Sequence, residues 1–270
     1  MSLIPLLLLA DSRLPAGTQA HSGGLEAAVA AGRVRDAETL RIFLLGRLGS
    51  TGLMAAAFAA AAASQAKAVS TGEPGGGRFG AAAASSSSYS TSSTSSTSWT
   101  SSAAPAKPEP PAPLADRLAV LDAEFDARTP SPVQRDVSRD LGRRLLRAAR
   151  AGWPGPAIEA ATAVHPQGPH QPIAFGVAAA TAGVDEYEIA AAAALAAVTG
   201  PAGAAARLLV IDPDAVTGAL SALSAQVHLV AAAAARVARG PAEDLPSVSA
   251  PALDISAQQH ATWEVRLFAS

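Results

Sequence analysis

Wherever hydrophobic positions recur in this chain, they recur at helical rather than strand spacing. Leu40, Phe43, Leu44 and Leu48 follow Asp36, whose short carboxylate suits a helix start, and the run continues through Leu53, Met54 and Phe58. Gly49 and Gly52 inside it are expected points of bending. Val137, Leu141, Leu145 and Ala148 define one face of a later helix, while Arg135, Arg139, Arg143 and Arg147 recur on a second face. Asp185 and Glu188 have the spacing of a capping box ahead of an Ala-rich run to Val198, which Thr199-Gly200-Pro201 is expected to interrupt. Asp212-Pro213 predicts a further start, with Val216, Leu220, Leu223, Val227 and Val230 as one continuous stripe that Gly240-Pro241 ends. A final helix is expected from Ser249 or Pro251 towards Phe268. No segment sustains period-two alternation, so the pattern predicts an all-α fold: a single-domain helical bundle over residues 1–270.

One stretch departs from this pattern. Ser85 to Ser102 is almost entirely Ser and Thr, with a Gly-rich lead-in from Gly72 and a Pro-rich exit to Pro113. Ordering a residue costs about 1–2 kcal/mol of backbone entropy, and so polar a tract has little apolar surface to offset it. It is expected to be a disordered loop insert at about residues 70–113, between two helices.

The N-terminal segment is dense in turn formers. An apolar helix over Leu3 to Ala10 should end near Arg13, with Pro15 and Gly17 punctuating the chain after it. Ser22 is placed as an N-cap whose hydroxyl accepts a free backbone N–H, and Glu26 falls where a carboxylate favours the positive end of a helix dipole. The competing reading is a Ser22 nucleophile with His21 as base. Adjacent residues rarely face each other, however, and no GxSxG elbow surrounds the pair.

Composition narrows the function classes. The hydrophobic fraction of 49% supports a sizeable core, and a formal charge of −2 argues against a protein built to neutralise nucleic-acid phosphates. The absence of Cys removes disulfides, Fe–S clusters and cysteine-based zinc sites together. The N-terminal apolar run is too short to span a bilayer and lacks a preceding positive charge, so a cytoplasmic protein with no membrane segment is expected. Gly75 to Gly80 lacks the Lys and hydroxyl of a phosphate loop, and no HExxH occurs. His165 and His170 offer at most a weak nickel edge, against a reading as loop residues without a metal role. Asp122, Glu124 and Asp126 read as solvated acids rather than a catalytic pair. The arginine stripe reads first as a solvated face, Asp136 and Asp140 pairing with Arg139 and Arg144. A protein-partner surface and a DNA contact are its alternatives.

Five ordered blocks resemble one known family. Asp11-Ser12-Arg13-Leu14-Pro15 with His21-Ser22-Gly23-Gly24-Leu25-Glu26 resembles the N-terminal signature of the urease accessory protein UreF, in its actinobacterial form. Asp126 to Pro130 leading into Ser138 to Leu146, His170 to Gly176, Ala204 to Leu209, and the closing Arg266-Leu267-Phe268-Ala269-Ser270 are similar to later blocks of that family. Thr18-Gln19 and Asp212-Pro213-Asp214 depart from its common pattern. The resemblance implies a helical, homodimeric adaptor that binds the scaffold UreD (also called UreH) and recruits the GTPase UreG to deliver nickel to apo-urease. It implies no catalytic residue, no cofactor and no metal ligand of its own. It points to Glu26 as contact for the GTPase, against simple stabilisation of its own helix. Arg266, Leu267, Phe268 and Ser270 become candidates for the scaffold interface, against the last turn of a packed helix. Pro15, Gly17, His21, Ser22, Gly24, Gly142, His170, Gly176 and Arg207 carry the family's structural motif, Arg207 through a buried or interhelical bond. A helical interaction module unconnected with urease is the remaining alternative.

Overall fold

The computed structural model describes residues 3–10, 21–71, 112–209 and 211–268. Pro15, Gly17, Ser270 and most of the expected insert lie outside them. The helices are α1 (Leu3–Ala10), α2 (Leu25–Ala30), α3 (Ala37–Arg47), α4 (Leu53–Thr71), α5 (Leu114–Ala127) and α6 (Pro132–Gly152), followed by α7 (Pro156–Thr162), α8 (Gln171–Thr181), α9 (Glu186–Leu208), α10 (Pro213–Ala222), α11 (Ser224–Val237) and α12 (Pro251–Ala261). The described residues contain no strand, so the fold is all-α as the periodicity predicts.

The bundle is built around α4. Every residue from Ala56 to Ala63 is at most 2% exposed, which is the burial of a helix apolar on all sides. Helices α5, α8, α9 and α11 pack around it. Small side chains let these backbones approach closely, and Gly176 of α8 marks the tightest crossing: a Cβ there would stand 2.1 Å from the Ala59 carbonyl oxygen. Gly142 of α6 is alike, its missing Cβ 2.0 Å from the Pro169 carbonyl oxygen. Two of the family-motif glycines are therefore places where main chain meets main chain.

The Asp36 start is a reciprocal capping box, with Asp36 Oδ1 accepting the Thr39 N–H at 2.8 Å and Thr39 Oγ1 accepting the Asp36 N–H at 3.1 Å. The run from Leu40 to Phe58 is continuous, and the expected bending at Gly49 and Gly52 takes the form of a π segment, Leu48–Gly52, between α3 and α4. Asp185 and Asp212 cap α9 and α10 through their side chains, on Glu188 N at 3.0 Å and Asp214 N at 2.9 Å.

Four expectations need correction. Pro201 does not interrupt its helix: α9 runs through it, because tertiary contacts satisfy the carbonyl that proline leaves without a donor. The Val216 to Val230 stripe is not one helix but α10 and α11, bent by 42° at Leu223. The last helix stops at Ala261, and the chain beyond it turns back onto the N-terminal region. The buried face of α6 is Arg139, Gly142, Leu145, Leu146 and Ala149, rotated from the expected stripe because Gly142 must face Pro169.

Two helical stretches, Ala37–Ala68 and Glu186–Leu208, are long and apolar enough to cross a bilayer by length and composition. Half of each apolar window is buried inside the bundle.

Candidate functional site

The glycine pair before α2 sets the first site. Gly23 and Gly24 have φ of 59° and 86°, left-handed values that glycine adopts without a Cβ penalty. They turn the chain so that Ser22, 1% exposed, lies under the helix start. Its carbonyl accepts the Leu25 N–H at 3.2 Å and its hydroxyl accepts the Glu26 N–H at 3.3 Å. The hydroxyl thus does the expected work on a free helical N–H, but Gly24, not Ser22, occupies the cap position.

Glu26 is 7% exposed, and its carboxylate receives the C-terminal tail. Oε1 accepts the Leu267 N–H at 2.9 Å, while Oε2 accepts the Phe268 N–H at 3.1 Å and faces His260 Nε2 at 2.9 Å. The Phe268 ring is buried, with the Arg207 guanidinium 5.6 Å from its centroid. Phe268 therefore points inward, whereas Val265, Arg266 and Leu267 are exposed, Val265 by 82% and Leu267 by 70%. The candidate residues at the two ends of the sequence are thus brought together. Arg207 reaches this site over the face of the Phe268 ring.

A second cluster joins α5, α6 and the segment before α8. Arg139, 7% exposed, donates from Nη1 to Asp122 Oδ2 and from Nη2 to Asp126 Oδ1, both at 2.7 Å. Its Nη1 also reaches the Gly168 carbonyl at 3.1 Å. Asp122 Oδ1 accepts the His170 N–H at 2.8 Å, and His170 Nε2 lies 3.1 Å from Asp126 Oδ1. Asp122 is buried whereas Asp126 is half-exposed, and Arg139 does not pair along its own helix; the expected Asp140–Arg144 pair forms, and Asp140 also pairs with Arg143. The signal was legible in part: Asp122 and Asp126 share one face of a helix, one turn apart, as do Arg135 and Arg139 opposite.

Burial lowers the His170 pKa below its ordinary value; the neighbouring Asp122 and Asp126 charges act against that, and the Arg139 charge adds to it. At Asp126 burial acts to raise the pKa, but hydrogen bonds from Arg139 and His170, with their charges, bring it below the usual carboxylate range. His170 is wholly buried, and among the described residues its Nδ1 has no hydrogen-bond partner. The His165 Nδ1 accepts the Gln167 N–H at 3.2 Å. Among the described residues, no group of three or more His, Asp and Glu side chains could hold a metal ion.

Residues that sequence reasoning missed include Arg128 and Arg47. Arg128 pairs with Glu124, lies 5.5 Å from the Phe58 ring centroid and donates to the Glu243 carbonyl at 3.0 Å, tying the end of α5 to the chain after α11. Among the described residues Arg47 bonds only to carbonyls, on Gly23 and Ala197.

The UreF family profile matches residues 34–224. The urease accessory protein UreF of Mycobacterium sp. (strain JLS) is 36% identical over 269 residues, covering 100% of this chain and 99% of that protein. The UreF of Mycolicibacterium vanbaalenii is likewise 36% identical over 269 residues, with the same coverage. That of Mycobacterium tuberculosis (strain H37Rv) is 35% identical over 261 residues, 96% of this chain and 94% of its own length. With the profile matched over residues 34–224 and relatives at 35–36% identity along nearly their whole length, the chain belongs to the UreF family of urease accessory proteins.

Proposed function

We propose that this chain is a non-catalytic, cytoplasmic adaptor of urease maturation, which binds a UreD/UreH scaffold and recruits the GTPase UreG for nickel insertion into apo-urease. The observation that carries the reading is the tail at residues 265–268. Phe268 and two backbone N–H groups are anchored, while Val265, Arg266 and Leu267 project from the anchored segment. An apolar residue and a guanidinium, held by a fixed backbone, form a pre-organised contact for a protein partner. In this reading Arg266 and Leu267 touch the scaffold and Phe268 sets their direction, and Ser270, outside the described residues, is a candidate for the same contact by its place in the sequence. Glu26, whose carboxylate holds the tail, is the proposed contact for the GTPase. The exposed Ile4, Leu7 and Leu8 of α1 support a homodimer contact. Co-purification tests the adaptor role: the chain should retain UreD and UreG homologues together, and recovery of neither partner would contradict it.

A further inference from the structure

Pro201 stands inside α9 and has no N–H, so the Ala197 carbonyl one turn earlier lacks its helical donor. Arg47, the last residue of α3, supplies one: its Nε donates to Ala197 O at 3.1 Å. Its Nη1 donates to the Gly23 carbonyl, and Nη2 makes no hydrogen bond among the described residues. Both partners are neutral, and no ion pair joins this part-buried guanidinium to a carboxylate among the described residues. Burial lowers its pKa to about 10, which leaves it charged at neutral pH.

Arg47 lines a partly open groove of about 1340 Å³ whose wall is mainly apolar, with Leu6, Met54, Phe175 and Leu195 among its residues. The other groove arginines are accounted for: Arg128 pairs with Glu124, and Arg207 is exposed over Phe268. The groove acids Glu188 and Asp254 make no ion pair with Arg47, and burial raises the Asp254 pKa. The volume exceeds the roughly 300–1,000 Å³ of small-molecule sites. It corresponds to about two to three turns of a helix roughly 10–12 Å across.

We propose that this groove docks an apolar helical segment of a partner protein bearing one carboxylate, which Arg47 receives through Nη2. The guanidinium is already withdrawn from water in the free chain, so an entering carboxylate meets a partly desolvated cation and is favoured over a neutral isostere. This inference goes beyond the adaptor reading and does not depend on it.

Two synthetic Leu/Ala helices of about twelve residues, identical except for one central Glu or Gln, test it by fluorescence anisotropy on the full chain. The Glu peptide should bind about tenfold tighter than the Gln peptide. Arg47→Met should abolish that preference and Arg47→Lys should keep most of it; the preference in the native chain stands as a test even if Arg47→Met does not fold. Equal affinities, no binding of either peptide, or a preference that survives in Arg47→Met would overturn the proposal. So would saturable dodecanoate binding without peptide binding, which would assign the groove to a small amphiphile.

Discussion

Gly176 is the position where one added carbon does most harm. A Cβ 2.1 Å from the Ala59 carbonyl oxygen cannot be absorbed by a rotamer change, so α8 must move away from α4. Gly176→Ala should lose about 3 kcal/mol or more in chemical denaturation, whereas Gly183→Ala, with open space around it, should lose less through its positive φ alone. His170 sets a pH dependence at the same scale. Its folded pKa is depressed, so the unfolded chain takes up a proton first as pH falls through the ordinary value of 6.5, and stability drops from there downward. Asp126, whose folded pKa is also depressed, contributes stability above 3.8 that is lost at still lower pH. Between pH 7.5 and 5.5 the native chain should lose up to about 1.4 kcal/mol per pH unit from His170, and His170→Gln should flatten that slope by the same amount. An unchanged slope would remove His170 as its source.

At the scale of elements, the central relation is between α2 and the tail. Glu26→Gln keeps the helix start but replaces an oxyanion that accepts two backbone N–H groups and faces His260. Hydrogen exchange at Leu267 and Phe268 should accelerate about tenfold or more, while exchange in α4 stays as it was. Truncation after Trp263 should leave the melting temperature nearly unchanged and weaken scaffold binding; undiminished affinity in a titration would remove the tail from the interface. Helix starts were well read from the sequence because their determinants are local: Asp36, Asp185 and Asp212 each cap within three residues. Helix ends and continuations were read less well because distant groups decide them. Pro201 is tolerated through Arg47, and the Glu26 contacts span more than 230 residues of sequence. The Asp122–Arg139 pair was misassigned for the same reason, since within-helix spacing offered Arg139 a nearer acid than the one it takes.

For the molecule as a whole, the all-α class was legible because alanine and helical periodicity act together throughout the chain. The centrality of α4 was not legible, because its Ala-rich sequence gives no direction for burial: every side of it is apolar. The family blocks contain several glycines, and the fold explains two of them, Gly142 and Gly176, as close backbone crossings. The resulting molecule is a rigid bundle with buried charge clusters, no group of metal ligands among its described residues, and an anchored tail that presents two exposed side chains. The anchored tail is the feature on which the proposed adaptor role rests. Reconstitution of apo-urease activation from purified UreD and UreG homologues, nickel and GTP, with and without this chain, tests the adaptor role most directly. Urease activity should appear only when the chain is present and should fall sharply with the form truncated after Trp263, whereas equal activation in its absence would contradict the account.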